Sequence, residues 1–182
     1  MDARTRYTKM AIRNSFFELL KKYPQEKITV TAICDIAEIN RTTFYKYYEN
    51  PYDLLSKIEA EVLDELHSKI ASMEKTRLSP IFLIVLEDLI NRKDMYLILF
   101  SKNVDMMFKK RLFEMCYADN IENIKLDYPR LDEQKQRWLY YFIAEGCTGV
   151  VSQWIKNDMA EPPEEVAAFL EKLVYSVDRE IF

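Results

Sequence analysis

The chain has 182 residues, of which 49% are hydrophobic and 31% are charged, a balance that excludes a disordered polypeptide and fits one or two globular domains. Its 2 glycines and 6 prolines leave few tight turns and exclude a glycine-rich phosphate loop, which favours long helices with short connections. The net charge of −4 is uneven, because residues 1–50 carry 9 Lys or Arg against 6 Asp or Glu. A basic first quarter on an acidic remainder suits contact with a polyanion, although an ordinary solvated surface also fits.

Four helices are predicted in the first part of the chain. The first covers residues 4–22, where apolar side chains recur with helical spacing at Ile12, Phe16, Leu19 and Leu20. The starts of the next three are marked by the N-cap residues Thr29, Asn40 and Asn50. We expect these helices over Val30–Glu38, Arg41–Tyr48 and Pro51 to about Glu74, with Ile33, Ile36 and Ala37 on the inner side of the second.

Five more helices are predicted in the remainder, and no segment alternates like a strand. Their expected ranges are Ser79–Ile90, Asp94–Phe100, Met106–Tyr117, Glu133–Ile155 and Glu164–Ile181, with a loop at 126–132. The predicted fold class is therefore all-α, with about nine helices. No apolar run reaches the roughly 18 residues of a membrane span, and the N-terminus lacks the apolar stretch of a secretory signal. We therefore expect a soluble, cytoplasmic protein that does not enter a membrane.

The third predicted helix has two faces. Phe44 and Tyr48 are four residues apart and are expected in a small core with Phe16, Ile33 and Leu54. The opposite face presents Arg41, Thr42, Tyr45 and Lys46, flanked by Thr43 and Tyr47. Such donors and cations suit base edges and phosphates in a DNA major groove, whereas the alternative is a solvated polar face. Two short helices with this outer chemistry form a helix-turn-helix pattern.

Residues 28–55 resemble the DNA-binding region of the TetR/AcrR family of bacterial transcriptional regulators. The matching residues are Ile28-Thr29-Val30, Ile33, Ala37, Ile39, Asn40-Arg41, Thr43-Phe44-Tyr45, Tyr48 and Asp53-Leu54-Leu55. The resemblance implies a dimeric regulator of transcription, a repressor, which reads a palindromic double-stranded operator and is released by a small apolar effector. It assigns base edges to Arg41, Thr42 and Lys46, and phosphates to Thr31, Thr43, Tyr45 and Tyr47. A basic arm of Arg4, Arg6 and Lys9 precedes them.

Three positions depart from the family pattern. Glu38 replaces the turn glycine, so either a non-glycine residue adopts a left-handed conformation or the turn differs. Tyr47 replaces the usual histidine, and Pro51 replaces a lysine that the family uses at the start of the fourth helix. A phosphate contact at position 51 is therefore not expected.

The resemblance implies a DNA-binding domain at 1–50 and a helical effector-binding and dimerisation domain at 51–182. Both glycines lie inside one predicted helix, where glycine costs about 1 kcal/mol relative to alanine, so we expect a close helix–helix approach. The expected dimer interface comprises Gly146, Gly149, Val150, Phe169, Leu173 and Val177. An effector pocket between the fourth and eighth helices has the candidates Phe82, Leu86, Tyr96, Phe100, Met107, Phe108, Met115, Tyr141 and Phe142, which equally fit an ordinary helical core.

Other functions find less support in the sequence. A single histidine, His67, and the lack of a nucleophile–base motif, phosphate loop or metal cluster argue against an enzyme, a metal site or a cofactor. The three cysteines, Cys34, Cys116 and Cys147, are widely spaced and fit buried structural thiols better than a redox sensor. A C-terminal domain that binds a protein partner instead of a small ligand remains an alternative.

Overall fold

The computed structural model describes residues 3–71, 79–101, 103, 104, 108, 111, 112 and 130–181, and the side chains of 79 and 177–181 are not described. Within these residues the fold is all-helical, as predicted, with no strand. The helices are α1 (Ala3–Leu20), α2 (Val30–Ala37), α3 (Arg41–Tyr45), α4 (Pro51–Ala71), α5 (Ser79–Asn91), α6 (Lys93–Leu99), α7 (Glu133–Lys156) and α8 (Pro163–Ile181). A short 3-10 turn, Gln25–Lys27, joins α1 to α2. None of the described helices is long and apolar enough to cross a membrane.

The predicted capping residues start their helices as expected. The Thr29 hydroxyl oxygen accepts from the Ala32 N–H at 3.2 Å, and Asn40 Oδ1 accepts from the Thr43 N–H at 2.7 Å. Asn50 Oδ1 accepts from the N–H groups of Tyr52 and Asp53, both at 2.9 Å. Each cap satisfies a backbone donor that has no partner inside its own helix, so these starts are defined locally.

The first helix ends at Leu20 and not at residue 22, and one predicted detail each of α2 and α3 is wrong. The third helix ends at Tyr45 instead of Tyr48, because Lys46 and Tyr47 form a turn in which the N–H groups of Tyr47 and Tyr48 both donate to the Phe44 carbonyl. Ile36 was expected on the inner side of α2 but is 49% exposed. The buried side of α2 centres on Ile33 and Cys34, and at about 100° per residue Ile36 points well away from it.

The described chain divides into two compact units. One contains Met1–Val62 together with Asp94–Phe108, and the other contains Leu63–Lys93 with Lys109–Phe182. In the first, α1 packs on α2 and α2 on α3 around a core that includes Phe16, Ile33, Phe44 and Leu54, all fully buried. In the second, α5 packs mainly on α8, and α7 also contacts α8. The predicted division at residue 50 stays a prediction.

Residues 94–108 join the first unit although they follow α5 in the chain. Asn103 carries the polar contact: its Nδ2 donates to the Leu20 carbonyl at 2.9 Å, and its own carbonyl accepts from the Gln25 N–H at 3.0 Å. The Leu20 carbonyl belongs to the last turn of α1, where carbonyls lack intrahelical partners. Asn103 therefore caps the C-terminus of α1 from a distant part of the sequence.

The second unit contains a buried carboxylate held by cations. Asp88 on α5 is buried, and its oxygens accept from Lys69 Nζ at 2.6 Å and from Arg92 Nε at 2.9 Å. Arg92 also donates to Glu65 at 2.7 Å. These contacts tie the C-terminal part of α4 to α5. The predicted helix at Met106–Tyr117 and the loop at 126–132 lie largely outside the described residues.

Candidate nucleic-acid interface

Helix α3 is fixed by its cap at one end and by its aromatic side chains at the other. Asn40 Oδ1 accepts from both the N–H and the hydroxyl of Thr43, at 2.7 and 2.9 Å. Phe44 is fully buried, and its ring lies 5.7 Å from that of Tyr48, which is also buried. Both rings thus face the core of the first unit, as the sequence predicted.

The opposite side of α3 faces away from the core. Arg41, Thr42, Tyr45 and Lys46 are exposed, and Tyr45 exposes 55% of its surface. The centres of the Tyr45 and Phe44 rings lie 5.8 Å apart with an angle of 89° between the ring planes, and this T-shaped contact holds the tyrosine against the core. A guanidinium, an ammonium and two hydroxyls on one exposed helix side match what base edges and phosphates accept.

The flanking residues have more constrained surroundings. Thr31 on α2, Thr43 and Tyr47 are half-buried. The Thr43 hydroxyl already donates to Asn40, whereas the Tyr47 ring lies 5.7 Å from the Lys9 ammonium. Lys9 therefore brings the basic arm of α1, with exposed Arg4 and Arg6, to the side of the turn that follows α3.

The turn between α2 and α3 shows how the chain accommodates Glu38 at the position where the family pattern has glycine. Glu38 has φ 52° and ψ 42°, the left-handed conformation that favours glycine, and its N–H donates to the Cys34 carbonyl. The turn therefore keeps its left-handed geometry with a non-glycine residue. Because Glu38 carries a side chain where the family pattern has glycine, this position holds backbone strain.

Two residues of this region were not singled out by sequence reasoning. Tyr52, in the first turn of α4, is 57% exposed beside the position where the family carries lysine. Lys57, one turn further along, donates to the Tyr47 carbonyl at 3.1 Å. The aromatic residue looked like part of an apolar pattern and the lysine like an ordinary surface charge, so only their placement in the fold distinguishes them.

The predicted pocket residues are distributed over both compact units. Tyr96, Phe100 and Phe108 belong to the first unit, where their ring centres lie 6.0–6.3 Å apart. In the second unit Leu86 is buried, Phe82 is half-buried, and Tyr141 and Phe142 are exposed, Phe142 by 67%. Met107 and Met115 lie outside the described residues. The effector pocket thus stays a prediction.

The two glycines of α7 face open space within the described chain. A Cβ atom placed on Gly146 or Gly149 meets nothing within 4 Å, so no other described helix of this chain packs closely against either glycine. The same side of α7 carries the exposed aromatics Trp138 and Phe142. On α8, Phe169 and Leu173 are exposed and four residues apart, and the Val177 side chain is not described. Val150, on α7, is half-buried. We call the exposed residues Trp138, Phe142, Gly146, Gly149, Phe169 and Leu173 the apolar face.

A groove of about 560 Å³ adjoins this surface between α7 and α8. Its lining is mostly apolar, with Val150, Trp154, Val166 and Phe169 among its walls. The Trp154 indole N–H donates to the Glu161 carbonyl at 3.0 Å, which holds the connection between the two helices against α7.

Two of the three cysteines are described, and both thiols have a raised pKa. Burial, followed by the nearby Asp35 carboxylate, raises the pKa of the Cys34 thiol. Burial raises the pKa of Cys147 to about 11. Cys116 lies outside the described residues. A thiol with a raised pKa carries little thiolate at neutral pH and is therefore a weak nucleophile.

The capped helix pair α2–α3, with its buried aromatic side and polar outer side, defines a helix-turn-helix protein of the class that regulates transcription. A TetR C-terminal family model, described as "Transcriptional regulator C-terminal region", matches residues 76–176. The chain therefore belongs to the TetR family of transcriptional regulators, as the sequence pattern predicted. Members of this family are regulators and, as a class, not enzymes.

Solved structures share this fold along nearly the whole chain. A TetR transcriptional regulator from Streptococcus agalactiae 2603V superposes with a TM-score of 0.73 at 21% identity, covering 95% of this chain and 96% of that one. The fatty acid degradation regulator FadR from Bacillus halodurans gives 0.67 at 14% identity, covering 96% of each chain. The dihydroxyacetone kinase operon activator DhaS gives 0.63 at 19% identity, covering 94% and 96%. No curated protein sequence matches this chain.

Proposed function

We propose that the protein is a cytoplasmic homodimer that binds a palindromic DNA operator through α3 and represses transcription until a small apolar effector releases it. The observation that carries the proposal is the outer side of α3, where Arg41, Thr42, Tyr45 and Lys46 are exposed on a helix anchored by Asn40 and Phe44. These side chains project from a fixed backbone, which is what reading a sequence of bases requires.

Individual roles follow from the chemistry of the side chains. Arg41, Thr42 and Lys46 are proposed for base edges, because Arg and Lys donate to guanine and Thr can both donate and accept. Thr31, Tyr45 and Tyr47 are proposed for phosphate oxygens. Thr43 belongs to the same set, but its hydroxyl reaches a phosphate only by giving up its hydrogen bond to Asn40.

The apolar face is the proposed contact with a second copy of the chain. The apolar face combines exposed aromatic and aliphatic side chains of α7 and α8 with two glycines at which an added Cβ atom would meet nothing within 4 Å. A self-complementary contact would bury this surface and let two helices approach closely at the glycines. The dimer would then present two copies of α3, which in helix-turn-helix dimers read half-sites about 34–36 Å apart or a multiple of this distance.

Release by an effector is the least constrained part of the proposal. The residues predicted for the pocket are aromatic and aliphatic, which favours an apolar small molecule over a charged one. A C-terminal domain that binds a protein partner is the alternative. The raised pKa values of Cys34 and Cys147 do not favour a redox sensor at these two thiols.

Selection of bound duplexes from random DNA tests the proposal directly. We expect the selected sequences to be palindromic and the affinity to fall steeply with salt, because phosphate contacts release counterions. Arg41→Ala and Tyr45→Ala should each weaken binding to the selected site by about 1–3 kcal/mol. Lys22→Ala, an exposed cation outside α3, is the matched control and should change the affinity little.

Two further measurements separate the parts of the proposal. If the Arg41 and Tyr45 variants keep the wild-type affinity and footprint, the outer side of α3 is not the DNA-binding surface. Native mass spectrometry of the purified protein reports both the number of chains and any retained ligand, which separates a ligand sensor from a partner-binding regulator. Transcription from a template that carries the selected site, with and without the protein, decides between repression and activation.

A further inference from the structure

The connection that follows α3, the proposed recognition helix, is held by one lysine of α4. Lys57 Nζ donates to the Tyr47 carbonyl at 3.1 Å and to Asp53 Oδ2 at 2.8 Å, and it lies 5.6 Å from the centre of the Tyr48 ring. The Tyr47 carbonyl lies just past the C-terminus of α3, where carbonyls lack intrahelical partners and a cation is favoured.

Asp53 completes the arrangement from the other side. Its Oδ2 accepts the Glu49 N–H at 2.9 Å as well as the Lys57 ammonium. These two hydrogen bonds, Lys57 first, lower the pKa of the Asp53 carboxyl below its ordinary value. A single ion pair thus holds a carbonyl and an N–H on either side of Tyr48, and we call Lys57, Asp53 and these two backbone groups the clasp.

Helix α3 needs such an anchor because it is short. With five residues it has little more than one turn, so its own hydrogen bonds cannot fix its direction. Asn40 holds its start and Phe44 holds its buried side. The clasp holds its end relative to α4.

We infer that Lys57 is a positioning residue for the recognition helix, and that its contacts with Tyr47 and Asp53 set the direction in which α3 presents its outer side to DNA. This inference rests on the proposed function. An exposed (i, i+4) ion pair by itself contributes little to stability. The clasp differs from such a pair because the same ammonium also bonds a backbone carbonyl and covers the Tyr48 ring.

Lys57→Met is the test, since methionine keeps an unbranched stem against Tyr48 but removes the charge. Lys57→Arg is the conservative variant, and Lys22→Met is the control at an exposed lysine outside the clasp. Two quantities are compared: amide hydrogen exchange at Tyr48 and Glu49 in the free protein, and the ratio of affinities for the selected duplex and a scrambled duplex over a range of salt.

We expect Lys57→Met to speed exchange at Glu49 and to lower the affinity ratio about fivefold to tenfold, with Lys57→Arg restoring both. Affinity for the scrambled duplex should fall no further than in the Lys22→Met control, which removes the same charge, because nonspecific binding depends on charge more than on the direction of α3. The slope of log affinity against log salt concentration should change by less than the amount expected for one phosphate contact per chain.

The outcomes distinguish the inference from the function beneath it. Unchanged exchange in Lys57→Met, or an unchanged affinity ratio in a wild type that selects DNA, overturns the inference and leaves the proposed function standing. A salt slope reduced by one contact or more per chain also overturns it, because Lys57 would then bind phosphate itself. If the wild type selects no DNA, the proposed function fails and the inference fails with it, whatever the exchange data show.

Discussion

Replacing Glu38 by glycine should stabilise the protein, although the change removes a side chain. Glu38 holds φ 52° and ψ 42°, where an L-residue with a Cβ is disfavoured by about 1–2 kcal/mol. Glycine removes this strain but makes the unfolded chain more flexible, at a cost of about 0.5–1 kcal/mol. The expected net gain is about 0.5–1 kcal/mol, or an increase of about 1–4 °C in Tm for a chain of this size.

Three variants separate backbone strain from the loss of charge. Glu38→Ala removes the same carboxylate without providing freedom at positive φ, and Glu38→Asn introduces a residue that tolerates the left-handed region. Urea unfolding followed by circular dichroism should rank the stabilities Gly first, then Asn, with Ala at or below the wild type. If Glu38→Gly is no more stable than Glu38→Ala, strain at this turn does not limit stability.

Three more predictions follow from side chains that are buried or half-buried. Asp88→Asn should lower the free energy of unfolding by about 2–3 kcal/mol, because Lys69 and Arg92 lose their buried charged partner. The control Glu87→Gln, at the neighbouring exposed residue, should have little effect. Thermal unfolding of both variants checks this, and equal Tm values would contradict it. In the folded protein at pH 7.5 Cys147 should resist iodoacetamide, because a pKa of about 11 leaves less than about 0.1% of the thiol as thiolate, whereas in urea it should react. Mass spectrometry measures the labelling, and rapid labelling of the native chain would refute this prediction. Asn103→Ala should cost about 1–2 kcal/mol by leaving the Leu20 carbonyl without its side-chain donor, and the loss should appear as faster amide exchange at the end of α1 before global unfolding.

The features predicted well from the sequence are those decided by a few neighbouring residues. The helix starts at Thr29, Asn40 and Asn50 depend on a side chain and an N–H two or three residues away, so the local sequence is enough to predict them. The burial of Phe44 follows from helical spacing, and the TetR pattern supplied the family.

The features that the sequence did not predict depend on distant parts of the fold. The inner side of a two-turn helix such as α2 is set by where its neighbours lie, and so Ile36 was misplaced. The exposure of Phe142 was not foreseen, because an aromatic residue in an apolar helix looks the same whether it faces its own core or outward. Lys57 and Tyr47 are ten residues apart in the sequence and are separated by a turn, so no spacing rule predicts their contact.

The capping of α1 by Asn103 limits how this regulator can be rebuilt from parts. A designer who transfers residues 1–62 onto another regulator would leave behind the segment that closes the end of α1 and that belongs to the same compact unit. The stability of the transferred residues 1–62 would then depend on which residue of the recipient protein lies at the end of α1 in place of Asn103. Exchange of specificities between such proteins should therefore succeed when both chain segments, 1–62 and 94–108, travel together, or when only the outer side of α3 is replaced.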